Sequence, residues 1–331
     1  MKILLIQTAF IGDVVLATPL IEKLRMHYPE AKIDFLLRKG NESLLTNHPH
    51  LRNVILFDKQ KGKYRNLFRL ISQIRREKYD YIINAQRFFA SGLLTALSGA
   101  RHTIGFDKNP LSFLFSKSVP HHISATAKGD HEVKRNLSLI RDITDGEFVR
   151  PRLYPSAADF GKAKKDIVYI IVAPASVWMT KQYPKEHWID FIASLPESIT
   201  VFLMGAKSDF GLCHTIEMES AIRNPQSKIQ NLSGQLTFLE SAALMQGARM
   251  NYVNDSAPLH FASAMNAPVT AVFCSTVPAF GFGPLSDQSH IVETKEILSC
   301  RPCGLHGKKA CPLGHFKCSI ISKEQLLETI R

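Results

Sequence analysis

Short apolar runs recur along this chain, separated by stretches whose apolar positions return every three or four residues. KILLIQ (2–7), AKIDFLLR (31–38), NVILFD (53–58) and DYIINAQ (80–86) read as strands. Between them, residues from about Asp13 to His27 and LFRLISQIRREKY (67–79) carry helical spacing. The rhythm stops over 150–166, a polar stretch with two prolines and no periodicity, which is expected to be a linker. It restarts with IVYIIVAP (167–174), SITVFLMG (198–205), ARMNYVND (248–255) and APVTAVFC (267–274). Nearly unbroken apolar strands alternating with helices predict an α/β fold with parallel sheets covered on both faces. The pattern makes two Rossmann-like halves, 1–155 and 156–331, with ligands expected at the carboxyl ends of the strands.

Composition changes little in this picture. At 331 residues, 45% hydrophobic and 21% charged, the chain has the size of about two globular domains. The most apolar stretch, FFASGLLTALSGA (88–100), is shorter than a bilayer requires. Gln7, Gly12 and Asp13 interrupt the N-terminal apolar run, so an export signal is not expected and a cytoplasmic location is.

Charge adds more. Residues 1–165 hold 28 Lys and Arg against 15 Asp and Glu, a surplus of 13; residues 166–331 hold 13 against 14. The basic excess belongs to the first half, which suits an anionic partner there.

Three strand-to-helix turns carry candidate chemistry. In AFIGDVVLATPL (9–20), Gly12 and Asp13 follow the first strand. Asp13 fits an acid at a helix start, and equally a carboxylate poised as a general base. In APASVWMTKQYPKEHW (173–188), small residues precede Thr180 and Lys181, a hydroxyl and a cation suited to phosphate charge. In VNDSAPLHFASAMNAPV (253–269), Asp255 and Ser256 stand where a helix begins, with His260 one turn in. No G-x-G-x-x-G is present, which counts against an NAD-type Rossmann oxidoreductase. No RRM, KH or zinc-finger signature supports a nucleic-acid-binding protein.

Cys300, Cys303, Cys311 and Cys318 are spaced C-x2-C-x7-C-x6-C. That spacing suits a structural zinc site, with His306 or His315 as substitute ligands. Reduced packing thiols and disulfides are the other readings, and spacing alone does not separate the three.

Taken together, IGDVVLATPL, KQYP and NDSAPLHFASA resemble glycosyltransferase family nine, the ADP-heptose:lipopolysaccharide heptosyltransferases, over roughly residues 1–322. LLTALSGARHTIGFD (93–107) and the cysteine-rich CRPCGLHGKKACPLGHFKC (300–318) are similar to the family as well. The resemblance implies a GT-B arrangement with an acceptor-binding N-terminal domain and a donor-binding C-terminal one. It implies further that the final helix, 322–331, packs back on the N-terminal domain. The reaction implied is inverting transfer of heptose from ADP-heptose to the inner core of lipopolysaccharide; another nucleotide-activated sugar, or heptosylation of a protein, is the alternative. Asp13 corresponds to the general base and Lys181 to the lysine on the donor diphosphate, with Thr180 beside it. Asp255, Ser256 and His260 correspond to a donor-binding motif, and Asp209 sits where the family places acids near the nucleotide ribose. No cofactor is required for this chemistry.

An acceptor rich in acidic sugars and phosphates gives the basic half a partner. Lys61, Lys63, Arg65, Arg87, Arg101 and Lys108 are candidate contacts, and peripheral attachment to the inner face of the cytoplasmic membrane follows from the same charge. The sequence departs from the family pattern where Ala257 and Ala175 replace glycines and FCST (273–276) stands for F-G-P-T.

Overall fold

The computed structural model describes residues 1–60, 62–125 and 129–330, so the Lys61 candidate lies outside the described residues. The chain divides into two compact units, Met1–Ile123 with Asp130–Tyr154, and Ser124–Gly129 with Pro155–Arg331.

The first unit is built on strands β1 (Lys2–Ile6), β2 (Lys32–Arg38), β3 (Leu51–Phe57), β4 (Tyr81–Asn84), β5 (His102–Phe106) and β6 (Lys117–Val119). They form one parallel sheet in the order β3-β2-β1-β4-β5-β6. Its helices are α1 (Ile11–His27), α2 (Lys63–Glu77), α3 (Phe89–Ala96) and α4 (Glu132–Ser138). Leu4, Ile6, Leu36, Phe57 and Ile82 pack with Leu67, Leu70 and Ile74 of α2 as one apolar core. Each of these side chains is withdrawn from water, the dominant driving force for closing a helix onto a sheet.

The second unit repeats the plan. Strands β7 (Tyr169–Ala173), β8 (Thr200–Leu203), β9 (Lys228–Asn231), β10 (Met250–Asn254), β11 (Val269–Phe273) and β12 (Ser289–Glu293) order as β12-β11-β10-β7-β8-β9, all parallel. Its helices are α5 (Ala157–Ala163), α6 (Lys185–Ala193), α7 (Phe210–Arg223), α8 (Phe238–Gly247), α9 (Ala257–Met265) and α10 (Lys323–Leu327). In both sheets the order reverses beside the unit's first strand, between β1 and β4 and between β7 and β10. Such a switch point leaves a ligand-sized opening at the strands' carboxyl ends.

One expectation is corrected, and the terminal helix finds its place in the second unit. The stretch 150–166 is not all linker, because α5 occupies Ala157–Ala163. Ser156 caps it by accepting from Asp159 N (3.2 Å), while Asp159 accepts from Ser156 N (2.7 Å). The terminal helix α10 is built into the second unit: Leu326 is fully buried in that unit's core, and its carbonyl accepts from the Tyr252 hydroxyl (3.1 Å). Among the described residues, no helix is long and apolar enough to cross a membrane.

Candidate active site

In the first unit the switch point is a polar floor at the ends of β1 and β4. Gln7 donates from its side chain to Ala85 O (2.9 Å), and the Thr8 hydroxyl donates to Gln86 Oε1. Asp13 lies in the first turn of α1, where its Oδ2 accepts from Phe10 N (3.1 Å). The capping reading of Asp13 therefore holds, with the acid in the first turn and Phe10 at the cap position.

The electrostatics of Asp13 exceed what a cap needs. Burial pushes its carboxyl up to about 6, the nearby Glu132 charge adds to this, and the Phe10 N–H and Arg87 only partly oppose it. Glu132 stays ionised: burial acts against its charge, but His121 and Arg135 outweigh this and hold it at about 2. Arg135 Nε donates to Glu132 Oε2 at 2.7 Å. A carboxylate whose proton affinity lies near neutrality is suited to accept a proton at physiological pH.

A cavity of about 480 Å³ opens at the start of α1, where Phe10 and Ile11 line it together with Arg38, Lys39 and Lys59 and the acids Glu42 and Asp58. Lys59 Nζ donates to Thr8 O (2.6 Å), and burial together with Arg38 and Lys63 pushes it down to about 8. Arg38 and Lys59 were not among the cations singled out in the sequence. Both stand at strand ends, Arg38 closing β2 and Lys59 two residues past β3, a position that strand pattern and charge together could have flagged.

The structure sorts the other cations. Lys63 and Arg65 open α2 at the carboxyl side of β3, and Arg87 and Lys108 follow β4 and β5 at the same edge. Lys63, Arg65 and Lys108 are exposed, Arg87 is half-buried, and Lys108 Nζ pairs with Asp107 (3.3 Å). Arg101 is placed apart from them: it precedes β5, at the amino ends of the strands, where it pairs with Asp80 (3.3 Å) and is 80% exposed.

In the second unit, the switch point gathers Lys181, Thr180 and Asp255. Asn254, buried at the end of β10, accepts from Tyr183 N (2.9 Å) and donates to Pro174 O (2.7 Å), joining the β7 loop to β10. Lys181 Nζ then lies 2.6 Å from Asp255 Oδ2, with both side chains largely buried. The same oxygen accepts from the Thr276 hydroxyl (2.7 Å). Thr180 is buried and its hydroxyl accepts from Ser275 Oγ (3.0 Å). Ser275 and Thr276 lie in FCST, the segment singled out only as a departure from the family pattern.

Ser256 occupies the cap position of α9 without a side-chain cap bond; its Oγ donates to Asn254 O (3.4 Å). Asp255 is likewise turned to Lys181 and Thr276, so neither side chain caps the helix as the sequence suggested. His260 is buried within α9. Asp209 follows β8, and its Oδ2 accepts from Ala206 N (2.8 Å), closing the turn that starts α7.

The cysteines divide. Cys318 is buried in the second unit's core, while Cys300, Cys303 and Cys311 are half-exposed on a loop. All six cysteines are free, and Cys300 Sγ lies 4.0 Å from His315 Nε2. Among the described residues, no three His, Cys, Asp or Glu side chains gather closely enough to hold a metal ion. Cys318 is nonetheless close enough to Cys303, Cys311 and Cys300 for their charges to add to burial in raising its thiol to about 11.

The chain thus folds as two Rossmann-type units, each a parallel six-stranded sheet with polar residues at its switch point. The chain belongs to glycosyltransferase family 9 (heptosyltransferase), whose model matches residues 67–314. Lipopolysaccharide heptosyltransferase 3 of Escherichia coli is 28% identical over 281 residues, 81% of this chain and 82% of that protein. Lipooligosaccharide heptosyltransferase 2 of Haemophilus ducreyi is 25% identical over 315 residues, 88% of each. In fold, the chain is similar to the solved structure of E. coli ADP-heptose LPS heptosyltransferase II. The TM-score is 0.81 at 21% identity, covering 100% of this chain and 97% of that one.

Proposed function

We propose that this glycosyltransferase moves heptose from ADP-heptose to the inner core of lipopolysaccharide, with inversion at the anomeric carbon. The observation that carries the reading is Asp13, an acid with proton affinity near neutrality in the first turn of α1 at the β1–β4 switch point, bonded to Phe10 of the helix start that lines the cavity. Asp13 takes the proton of the acceptor hydroxyl as that oxygen attacks the anomeric carbon. The bond to the diphosphate oxygen breaks, and ADP leaves with the electron pair. Lys181 neutralises the charge growing on the diphosphate, a use of a fixed cation that needs no metal. Thr180, Asp255, Ser256 and His260 line the donor side, with Asp209 toward the ribose.

Arg38, Lys59, Lys63, Arg65, Arg87 and Lys108 would hold the acidic acceptor. Tyr64 and Phe68 stand 72% and 62% exposed on α2 beside Lys63, Arg65 and Arg69. Exposed aromatics among cations suit peripheral contact with an anionic bilayer, in keeping with work at the inner face of the cytoplasmic membrane. The test is incubation with ADP-heptose and a set of truncated lipopolysaccharide acceptors, read by mass spectrometry. Addition of one heptose mass to one acceptor is expected; transfer from another nucleotide sugar, or to protein alone, would replace this reading.

A further inference from the structure

The segment 300–308 crosses the two loops that carry the second unit's polar cluster and is fastened to both. On one side, Arg301 Nε donates to Cys274 O (2.7 Å) and Nη2 donates to the carbonyls of Phe273 (3.2 Å) and Thr276 (2.8 Å). Glu293 neutralises that guanidinium at 2.6 Å. Cys303 N donates to Ser275 O (2.9 Å). On the other side, Lys308 N donates to Thr180 Oγ1 (2.7 Å), and Lys308 O accepts from Thr180 N (3.1 Å).

Between these anchors runs Gly307, in the left-handed region at φ +76. A Cβ there would stand 2.9 Å from Lys181 Cγ and 3.1 Å from Thr180 Oγ1. The stem of Lys181 therefore passes directly against the Gly307 α-carbon on its way to Asp255. Asp255 is oriented by Thr276, whose carbonyl Arg301 grips. One strap thus fixes the backbone beneath the acid and the wall beside the lysine.

We propose that residues 301–308 are a positioning strap for the donor diphosphate site. Arg301 sets the 273–276 loop, and Gly307 and Lys308 set Thr180 and the path of Lys181. The strap's role rests on Lys181 being the diphosphate ligand. Rigid support of a binding cation matters because small misplacements of a charge-assisted contact forfeit much of its strength. A methyl group on residue 307 would have to displace either the lysine stem or the strap.

ADP is the probe, titrated calorimetrically into the full chain, with donor and acceptor KM measured alongside. Gly307→Ala should weaken ADP binding and raise donor KM roughly tenfold or more, with acceptor KM unchanged. Gly314→Ala is the control: it has φ +70 on the same loop, outside the strap, and open space around its Cβ, so it carries the backbone strain without the contact. Arg301→Lys, which keeps the charge but not the forked reach to three carbonyls, should weaken ADP in the same direction. A Gly307→Ala protein that binds ADP as tightly as Gly314→Ala overturns the strap. If Gly307→Ala does not fold, wild-type ADP affinity in Arg301→Lys overturns it. Wild-type ADP affinity in Lys181→Met would remove both the strap and the reading of Lys181 beneath it.

Discussion

At Asp13, one carboxylate closes a helix start and also sits where burial and Glu132 resist its charge. Asp13→Asn separates the two roles, because an amide oxygen can still accept from Phe10 N but cannot take a proton. Turnover should fall by about 10²-fold or more, the usual contribution of a general base. The wild-type kcat/KM should rise as pH climbs through about 6 and level off above it. The folded-state pKa lies above the unfolded value, so the stability Asp13 lends is complete below about 3.8 and lost as pH rises through about 6. Asp13→Asn should therefore melt no lower than wild type at pH 8, and relatively higher there than at pH 4. A lowered melting temperature at pH 8 would mean that the charge is needed for folding. Lys181 predicts the opposite balance. Lys181→Met leaves Asp255 buried without its cation, a loss on the order of 3 kcal/mol by denaturant unfolding.

At the scale of elements, eight strands were legible, the edge strand β3 among them, and β5, β6, β9 and β12 were not. β7 is apolar throughout and β1 is so but for Lys2, while β10 is buried throughout although it carries Asn251 and Asn254. β5, β6, β9 and β12 carry polar residues, as in KSV and KIQN, and nothing in those letters distinguishes strand from loop. α5 escaped because it is seven residues long with one buried side chain, Ala163, too little for a helical period to show, although S-x-x-D at 156–159 was a helix-start signature in view. The site divides in the same way. Asp13, Lys181 and Asp255 stand at strand ends and could be read from position. The Thr276 hydroxyl and the strap residues reach the site only through the fold, from segments roughly a hundred residues beyond Lys181. Placement of α10 likewise depends on packing, which one substitution tests. Leu326→Ala, removing a fully buried side chain, should cost about 2–5 kcal/mol in chemical denaturation. A loss below about 0.5 kcal/mol would show that the terminal helix is not part of that core.

At the scale of the whole molecule, the two units share one strand order, yet their charge differs by eight: the first holds 24 Lys and Arg against 14 Asp and Glu, a surplus of 10, and the second 17 against 15, a surplus of 2. Shared topology cannot account for that difference, because net charge bears on partners rather than on fold. Arg38, Lys39 and Lys59 line one cavity of the first unit with Glu42 and Asp58, and Lys63 acts on Lys59 from nearby, so part of that surplus would meet an anionic acceptor there. Exposed charges act over a Debye length of about 10 Å at 0.1 M salt and about 3 Å at 1 M. The Lys181–Asp255 pair is largely buried and much less open to screening. Raising salt from about 0.05 to about 0.5 M should therefore increase acceptor KM severalfold while donor KM changes little. Lys59→Gln should flatten the acceptor's salt response and leave the donor's as it was. Equal salt sensitivity for both substrates would detach the basic surplus from the acceptor and leave it a property of solubility alone.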